Sequence, residues 1–466
     1  MSGVTSGVGK LTYEEDKFEA AFQSVLQMNK RDYPSYIDGM MIASGNVFPV
    51  DSPVDSTIRF GMFQDPEAGI AERAVEASLT RYPQWSGKGN DERIEIFNKV
   101  LENIMVQRYR IASIVLLSTG MTRRESVAEV DRLMEILETE CFKAKGLKAK
   151  STGVWGIISS HNSPLASPAG FATAAMLAGN TVIVMPSKYC PVPMYLFYDM
   201  LEKAGLPGGV LNLITDRKHE TSETLANDAR LAGVVVSGSG SNLEDMMFLQ
   251  VDDELRFINE IKGMNPIIVH KPGDNEKAVT DTVTSAFSYS GQRLYSTSKL
   301  IITAESQQRF MDTLNTYLKD LKIGDPADET VFSGPLISEA DLKRFTDVLA
   351  RSKDHLTYGG KRLNDEFTRN GCYVTPVLFV GVGEDNELMY MDMGLPILTV
   401  KIVKDMDEAM EELSNTECGL SAGIYSKDQR AISMFRENAI APTLFVNESS
   451  TGLKPARSAT IEKFVK

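Results

Sequence analysis

The chain has 466 residues, 42% of them apolar and 24% charged, and a net charge of −14. That length exceeds one ordinary domain and fits two or three, with the composition of a soluble globular protein. The acidic balance argues against nucleic acid or an anionic membrane surface as a main partner. Only four cysteines occur (Cys141, Cys190, Cys372, Cys418), far apart and without CxxC spacing. A disulfide framework or zinc site is therefore not expected, and a reducing cytoplasm is the expected location. The four histidines (His161, His219, His270, His355) form no metal constellation in the sequence. The N-terminus shows no signal pattern, and no run reaches the roughly 18 apolar residues of a membrane span.

In chain order, apolar residues Phe18, Ala21, Phe22, Val25 and Leu26 recur at helical spacing between Thr12 and Lys30. Tyr36 to Pro53 reads as strand and turn. Three helices are predicted over Ile70–Gln84, Asp91–Arg108 and Tyr109–Thr119, followed by a fourth over Ser126–Lys145. Strands are predicted at Gly153–Ile158, Thr181–Met185, Val210–Ile214 and Leu231–Val236, with helices Ala166–Ala178 and Val192–Ala204 between them. Strands alternating with helices of about a dozen residues imply a parallel, doubly wound α/β sheet. A second such half is predicted from about Pro266 to Asn447.

One segment, Phe287-Ser-Tyr-Ser-Gly-Gln-Arg-Leu294, combines with several others in a fixed order. These are Gly179-Asn-Thr-Val-Ile-Val-Met-Pro-Ser187, Ala204-Gly-Leu-Pro-Gly-Gly-Val-Leu-Asn212, Val235-Val-Ser-Gly-Ser239 and Glu260-Ile-Lys-Gly-Met-Asn-Pro266. Gly324-Asp-Pro, Gly334-Pro-Leu-Ile, Pro376-Val-Leu and Asn415-Thr-Glu-Cys-Gly-Leu-Ser-Ala-Gly follow. Each alone is weak; together they resemble the landmarks of the aldehyde dehydrogenase superfamily. Leu-Thr-Tyr-Glu near the start and Asn447-Glu-Ser-Ser near the end look most like its 1-pyrroline-5-carboxylate dehydrogenase branch. The resemblance implies the aldehyde dehydrogenase fold: a nucleotide-binding, Rossmann-like domain over 1–260, a catalytic-type α/β domain over 261–447, and a C-terminal tail over 448–466 that is truncated relative to the family.

The resemblance also assigns roles. The family's F-x-x-x-G-Q-x-C segment carries the nucleophilic cysteine, and here that position holds Leu294. A leucine has no lone pair to attack a carbonyl, so no thiohemiacetal can form there. The hydroxyls of Tyr295 and Ser296 lie beside it, with no identified base. Asn162 matches the asparagine that helps form an oxyanion hole, a donor contributing about a few kcal/mol to the transition state. Glu260 matches the general base. Two plainer readings stay open: Glu260 as a solvated carboxylate and Asn162 as a loop cap.

On the cofactor side, the resemblance implies NADP or NAD, held weakly or not at all. The family lysine that holds the adenosine ribose is Met185, and the glutamate after Ser187 is Lys188. Loss of an acidic ribose partner and gain of a cation disfavour NAD and favour a 2′-phosphate; a solvated lysine is the alternative. Gly238 and Ser239 form a small-residue turn before a helix, where free N–H groups could meet pyrophosphate. Asp392 aligns with the glutamate that binds the nicotinamide ribose, and Lys262 replaces a glycine beside the nicotinamide. Gly146–Thr152 is too short for the family's protruding hairpin, so the oligomerisation arm is reduced or absent and a monomer or dimer is expected.

Three functions remain compatible with these residues. The favoured one is a catalytically impaired family member that keeps a nucleotide or metabolite site. The others are an active NAD(P)-dependent oxidoreductase on an aldehyde or semialdehyde by a non-thiol route, and a non-catalytic structural or partner-binding protein.

Overall fold

A computed structural model describes residues 14–28, 30–239, 256–416, 418–450 and 459–466. The first half is built on β1 (Arg31–Tyr33), β2 (Ser35–Ile37), β3 (Met40–Ile42), β4 (Val47–Asp51), β5 (Arg59–Gln64), β6 (Val154–Ser159), β7 (Thr181–Met185), β8 (Leu211–Leu213), β9 (Gly233–Gly238) and β10 (Arg256–Ile261). Seven of these form one sheet in the order β10-β9-β6-β7-β8-β2-β3. Its centre is parallel from β10 to β8, and the β2–β3 hairpin adds antiparallel strands at one edge. The remaining three form the small sheet β1-β5-β4. The alternating β–α pattern predicts this arrangement because parallel neighbours need crossover helices, which cover both faces.

The second half has β11 (Ile267–Val269), β12 (Lys299–Thr303), β13 (Leu356–Gly359), β14 (Val377–Val380), β15 (Ile397–Val403), β16 (Ser421–Tyr425) and β17 (Thr443–Val446). Their order is β13-β14-β15-β12-β11-β16-β17, all pairs parallel except β13–β14. The expected division at 260/261 falls at the last residue of β10.

One expectation is corrected. The two helices predicted over Asp91–Arg108 and Tyr109–Thr119 are a single helix, Asn90–Thr119. No glycine or proline lies between those segments, so nothing breaks the backbone ladder at 108/109. The helix stops at Gly120, with φ of 80° and its amide bonded to the Leu116 carbonyl. A side chain there would also collide with the ring of Pro335, 2.6 Å from the Cβ position. The helix Arg123–Lys145 begins three residues before its predicted start, because Thr122 and Glu125 form a capping box.

Between Lys145 and Val154 the chain forms no hairpin; residues 146–153 run directly into β6. Ser151 there forms an antiparallel bridge with Val465 of the same chain. Residues 459–466 thus return to the first half: Phe464 is fully buried, with its ring edge-on to Trp155 at 4.7 Å between centroids. The carbonyl of Phe464 accepts from Asn180 Nδ2 at 2.9 Å. The proline-interrupted stretch around Pro455 lies outside the described residues.

Candidate functional site

The segment 287–296 enters from the helix Asn275–Phe287 through an unusual turn. Tyr289, Ser290 and Gly291 take positive φ values of 49°, 52° and 69°. Left-handed backbone costs about 1–2 kcal/mol at a non-glycine residue, so the surroundings must hold it. Ser290 N–H donates to Ser333 Oγ at 2.6 Å and its hydroxyl donates to the Gly334 carbonyl at 2.7 Å. Tyr289 is fully buried, its hydroxyl donating to the His161 carbonyl at 3.1 Å. Gly291 is required: a Cβ there would lie 2.3 Å from the Leu395 carbonyl oxygen.

The turn delivers Leu294 into the interior, only 3% exposed, with its carbonyl accepting from Asn265 Nδ2 at 2.9 Å. Among the described residues, neither of its hydroxyl neighbours is hydrogen-bonded to a basic side chain. Burial first, then the charge of Glu260, pushes the Tyr295 phenol up to about 12. Ser296 Oγ accepts from the Arg293 amide at 3.1 Å. All four cysteines are free and buried elsewhere. Burial raises their thiols, to about 11 at Cys141 and about 12 at Cys190 and Cys372. Raised thiols hold little thiolate, the reactive form, at neutral pH.

Asn162 and Glu260 converge on the same segment. Asn162 Nδ2 donates to the Gln292 carbonyl at 2.5 Å and to Ser239 Oγ at 2.9 Å. Its Oδ1 accepts from the Ser239 amide at 3.0 Å and from the Ser160 hydroxyl. The amide therefore ties three loops together, and its donors already have acceptors. Glu260 is 1% exposed, not solvated. Its Oε2 accepts from Ser167 and Ser237 hydroxyls, each at 3.0 Å, and those hydroxyls lie 2.7 Å apart. Two side chains thus cage this β10 carboxylate, Ser167 from a helix and Ser237 from β9.

On the other side of Asn162, a cavity of about 280 Å³ opens at the carboxyl ends of β6, β7 and β9. Ser187, Lys188 and Ser239 line it, as do Met185, His161 and, from the second half, Asp341 and Arg344. Lys188 is half-buried: its Nζ donates to the Arg217 carbonyl at 2.9 Å and sits 3.4 Å from His219 Nε2. Burial, then the Lys188 charge, lowers the His219 pKa. Burial also lowers His161, to about 4, against an opposing pull from Asp341. Gly238 ends β9 at the cavity rim, its carbonyl accepting from the Lys262 amide at 2.9 Å. The helix expected after Ser239 lies outside the described residues.

Asp392 stands apart from the cavity lining. Its carboxylate is paired with the Lys262 ammonium, and the two side chains are 4% and 1% exposed. A second oxygen accepts from the Gly394 amide at 3.1 Å. His219, Asp341 and Arg344 were not singled out from the sequence; they belong to no short motif, and only the fold brings them to this crevice. Among the described residues, no helix is long and apolar enough to cross a membrane.

Two doubly wound sheets, with a cavity at the carboxyl ends of strands in the first, define the architecture, and comparison with known proteins names it. A model of the aldehyde dehydrogenase family matches residues 41–458, and the chain belongs to that family. Within it, the chain is close to the 1-pyrroline-5-carboxylate dehydrogenase branch. The enzyme of that name from Geobacillus sp. (strain WCH70) is 27% identical over 459 residues, covering 93% of this chain and 88% of its own. The 2,5-dioxopentanoate dehydrogenase of Saccharolobus solfataricus is 27% identical over 446 residues, covering 91% and 92%. A solved 1-pyrroline-5-carboxylate dehydrogenase from Thermus thermophilus shares the fold, with a TM-score of 0.90 over 99% of this chain and 97% of its own, at 21% identity.

Proposed function

We propose that this chain is a catalytically impaired aldehyde dehydrogenase-like protein, related to the NAD(P)-dependent 1-pyrroline-5-carboxylate and semialdehyde dehydrogenases. The observation that carries the reading is Leu294, buried at the end of the left-handed turn where the family resemblance calls for a cysteine. The Tyr295 phenol is pushed up to about 12, and no base reaches the Ser296 hydroxyl among the described residues. Without a nucleophile, the groups at Asn162 and Glu260 act as structure, joining loops and strands. Four free thiols suit a reducing cytoplasm.

NAD(P) is the cofactor that family membership implies, and when bound it accepts hydride in this chemistry. The residues fit its adenosine end, where Ser187, Lys188 and Ser239 border the cavity. They do not fit its nicotinamide end: the place that the resemblance gives to the nicotinamide and its ribose is filled by the Lys262–Asp392 pair. No reaction step is therefore drawn through the cofactor. Any dinucleotide preference runs toward NADP, because Lys188 brings a cation and Met185 supplies no hydrogen bond to a ribose. The test is NAD(P)-linked turnover on a panel of aldehydes that includes 1-pyrroline-5-carboxylate. No turnover is expected; robust turnover abolished by alkylating a cysteine overturns the reading.

A further inference from the structure

We propose that this protein docks on an anionic phospholipid bilayer through the face formed by Phe142 and the lysines that follow it. The face lies where the helix Arg123–Lys145 ends and residues 146–153 run into β6, with residues 459–466 beside them. It is therefore at the amino end of β6, opposite the cavity at the carboxyl ends of the strands. The proposal stands apart from the impaired-enzyme reading and from any ligand of that cavity.

Charge is the first support. The chain has 63 acidic residues, yet none between Glu140 and Asp199, and Lys143, Lys145, Lys148 and Lys150 open that stretch. The Lys466 amide donates to the Lys150 carbonyl at 2.8 Å, which brings the backbone carrying the exposed Lys463 and Lys466 alongside. Lys145, Lys148 and Lys150 are exposed too, and none of these five lysines has a carboxylate at ion-pair distance among the described residues. The acids between them are engaged: Glu140 accepts from the Ile461 amide at 2.6 Å and from Lys143 at 3.0 Å, and Glu462 meets the same lysine at 3.3 Å. Asp91, beside the Asn90 that bonds the Leu147 carbonyl, and Glu138, one turn before Phe142, are exposed acids at the border.

Shape is the second. Phe142 is 75% exposed, three residues before Lys145 and so on the same side of the helix. A Cβ on Gly146 would meet nothing within 4 Å, so the segment projects from the molecule and lines no groove. A rigid partner would need a matching concavity to receive it. A bilayer surface needs none: the aromatic ring enters the headgroup boundary while lysine ammoniums stay among anionic headgroups. The overall charge of −14 does not forbid this, because exposed charges farther than about 8 Å from the contact are largely screened at physiological salt. Among the described residues no helix can cross a membrane, so the contact is peripheral.

Co-sedimentation of the full chain with phosphatidylcholine vesicles, with and without phosphatidylserine, tests the proposal. Binding is expected only when phosphatidylserine is present, and should fall as salt is raised. Lys145→Gln, Lys148→Gln and Lys150→Gln together are expected to weaken it on the order of a hundredfold, at roughly fivefold for each lysine near an anionic surface. Lys404→Gln, whose side chain is 86% exposed in the second half, is the control and should change nothing. Phe142→Trp should show a blue-shifted emission on those vesicles, readable because Trp85 and Trp155 are already buried. No binding to phosphatidylserine vesicles, equal binding to phosphatidylcholine alone, or a triple variant that binds as wild type each overturns it. Binding of a glutamate-rich peptide in place of vesicles also overturns it, and would give the face to an acidic protein.

Discussion

The ammonium of Lys262, one residue past β10, meets the carboxylate of Asp392, which precedes β15, in a buried ion pair between the two halves of the molecule. The partners are 130 positions apart in sequence. Burying two charges is expensive, and their attraction repays the cost only with good geometry and further hydrogen bonds, here including the Gly394 amide on Asp392. The pair fastens the second half to the first at the place where the family resemblance puts the reactive end of a dinucleotide.

Breaking one side of that pair should cost more than removing both. Lys262→Ala is expected to destabilise the protein by about 3–5 kcal/mol, because Asp392 is left charged and buried. Lys262→Met combined with Asp392→Leu should recover most of that loss. Urea unfolding of the single and double variants gives the answer, and a single substitution within about 0.5 kcal/mol of wild type would show the pair to be solvated.

Leu294→Cys is expected to fold, losing about 1–2 kcal/mol for the smaller side chain. On its own it should give no NAD(P)-linked aldehyde oxidation. Adding Lys262→Gly and Asp392→Glu restores the residue types of the family motifs at both positions, and turnover is expected to appear only then. Nicotinamide absorbance with an aldehyde panel measures it; activity from Leu294→Cys alone would mean that Lys262 and Asp392 are no barrier.

Acid should weaken the fold through His161. Burial holds its pKa at about 4, below the ordinary 6.5, with Asp341 pulling it up and Arg344 pushing it down. Between those values the unfolded chain binds more protons than the folded one. The contribution is therefore fully present above about pH 6.5 and is lost as pH falls toward about 4. Urea unfolding at several pH values should show a steeper acid loss for wild type than for His161→Phe, and equal slopes would contradict the assignment.

The last described residues should matter to stability. Phe464 is fully buried against Trp155, and Phe464→Ala is expected to cost about 3–5 kcal/mol. Thermal unfolding of that variant, beside an exposed control such as Phe367→Ala (Phe367 is 74% exposed), tests it. Equal melting temperatures for the two would show that the segment contributes little.

In solution a monomer or a simple dimer is expected. No hairpin protrudes between Lys145 and Val154, and Val465 forms its bridge with Ser151 of its own chain. Strand exchange needs an unpaired edge to lend, and here that backbone is occupied within the subunit. Light scattering at micromolar concentration checks this; a stable tetramer would mean that another surface has taken over the contact.

Much of this was legible in the sequence. Strand-sized apolar runs alternating with helices determine a parallel α/β architecture, because both faces of such strands are covered. The leucine at 294, where the family resemblance calls for a cysteine, could be read from the sequence, since a side chain's chemistry is local. The join at 108/109 was missed because a helix that buries one face early and every face late changes its apolar pattern without breaking its backbone. Other relationships existed only in three dimensions. Lys262 could be read as crowding a ring, but its partner Asp392 could not, since pairing depends on how two sheets meet. Glu260 read equally well as solvated or catalytic until Ser167 and Ser237 closed around it. Burial and hydrogen-bond partners are set by residues far apart in the chain, so the sequence by itself determined which groups were present, and the tertiary structure alone decided which of them were already committed to one another.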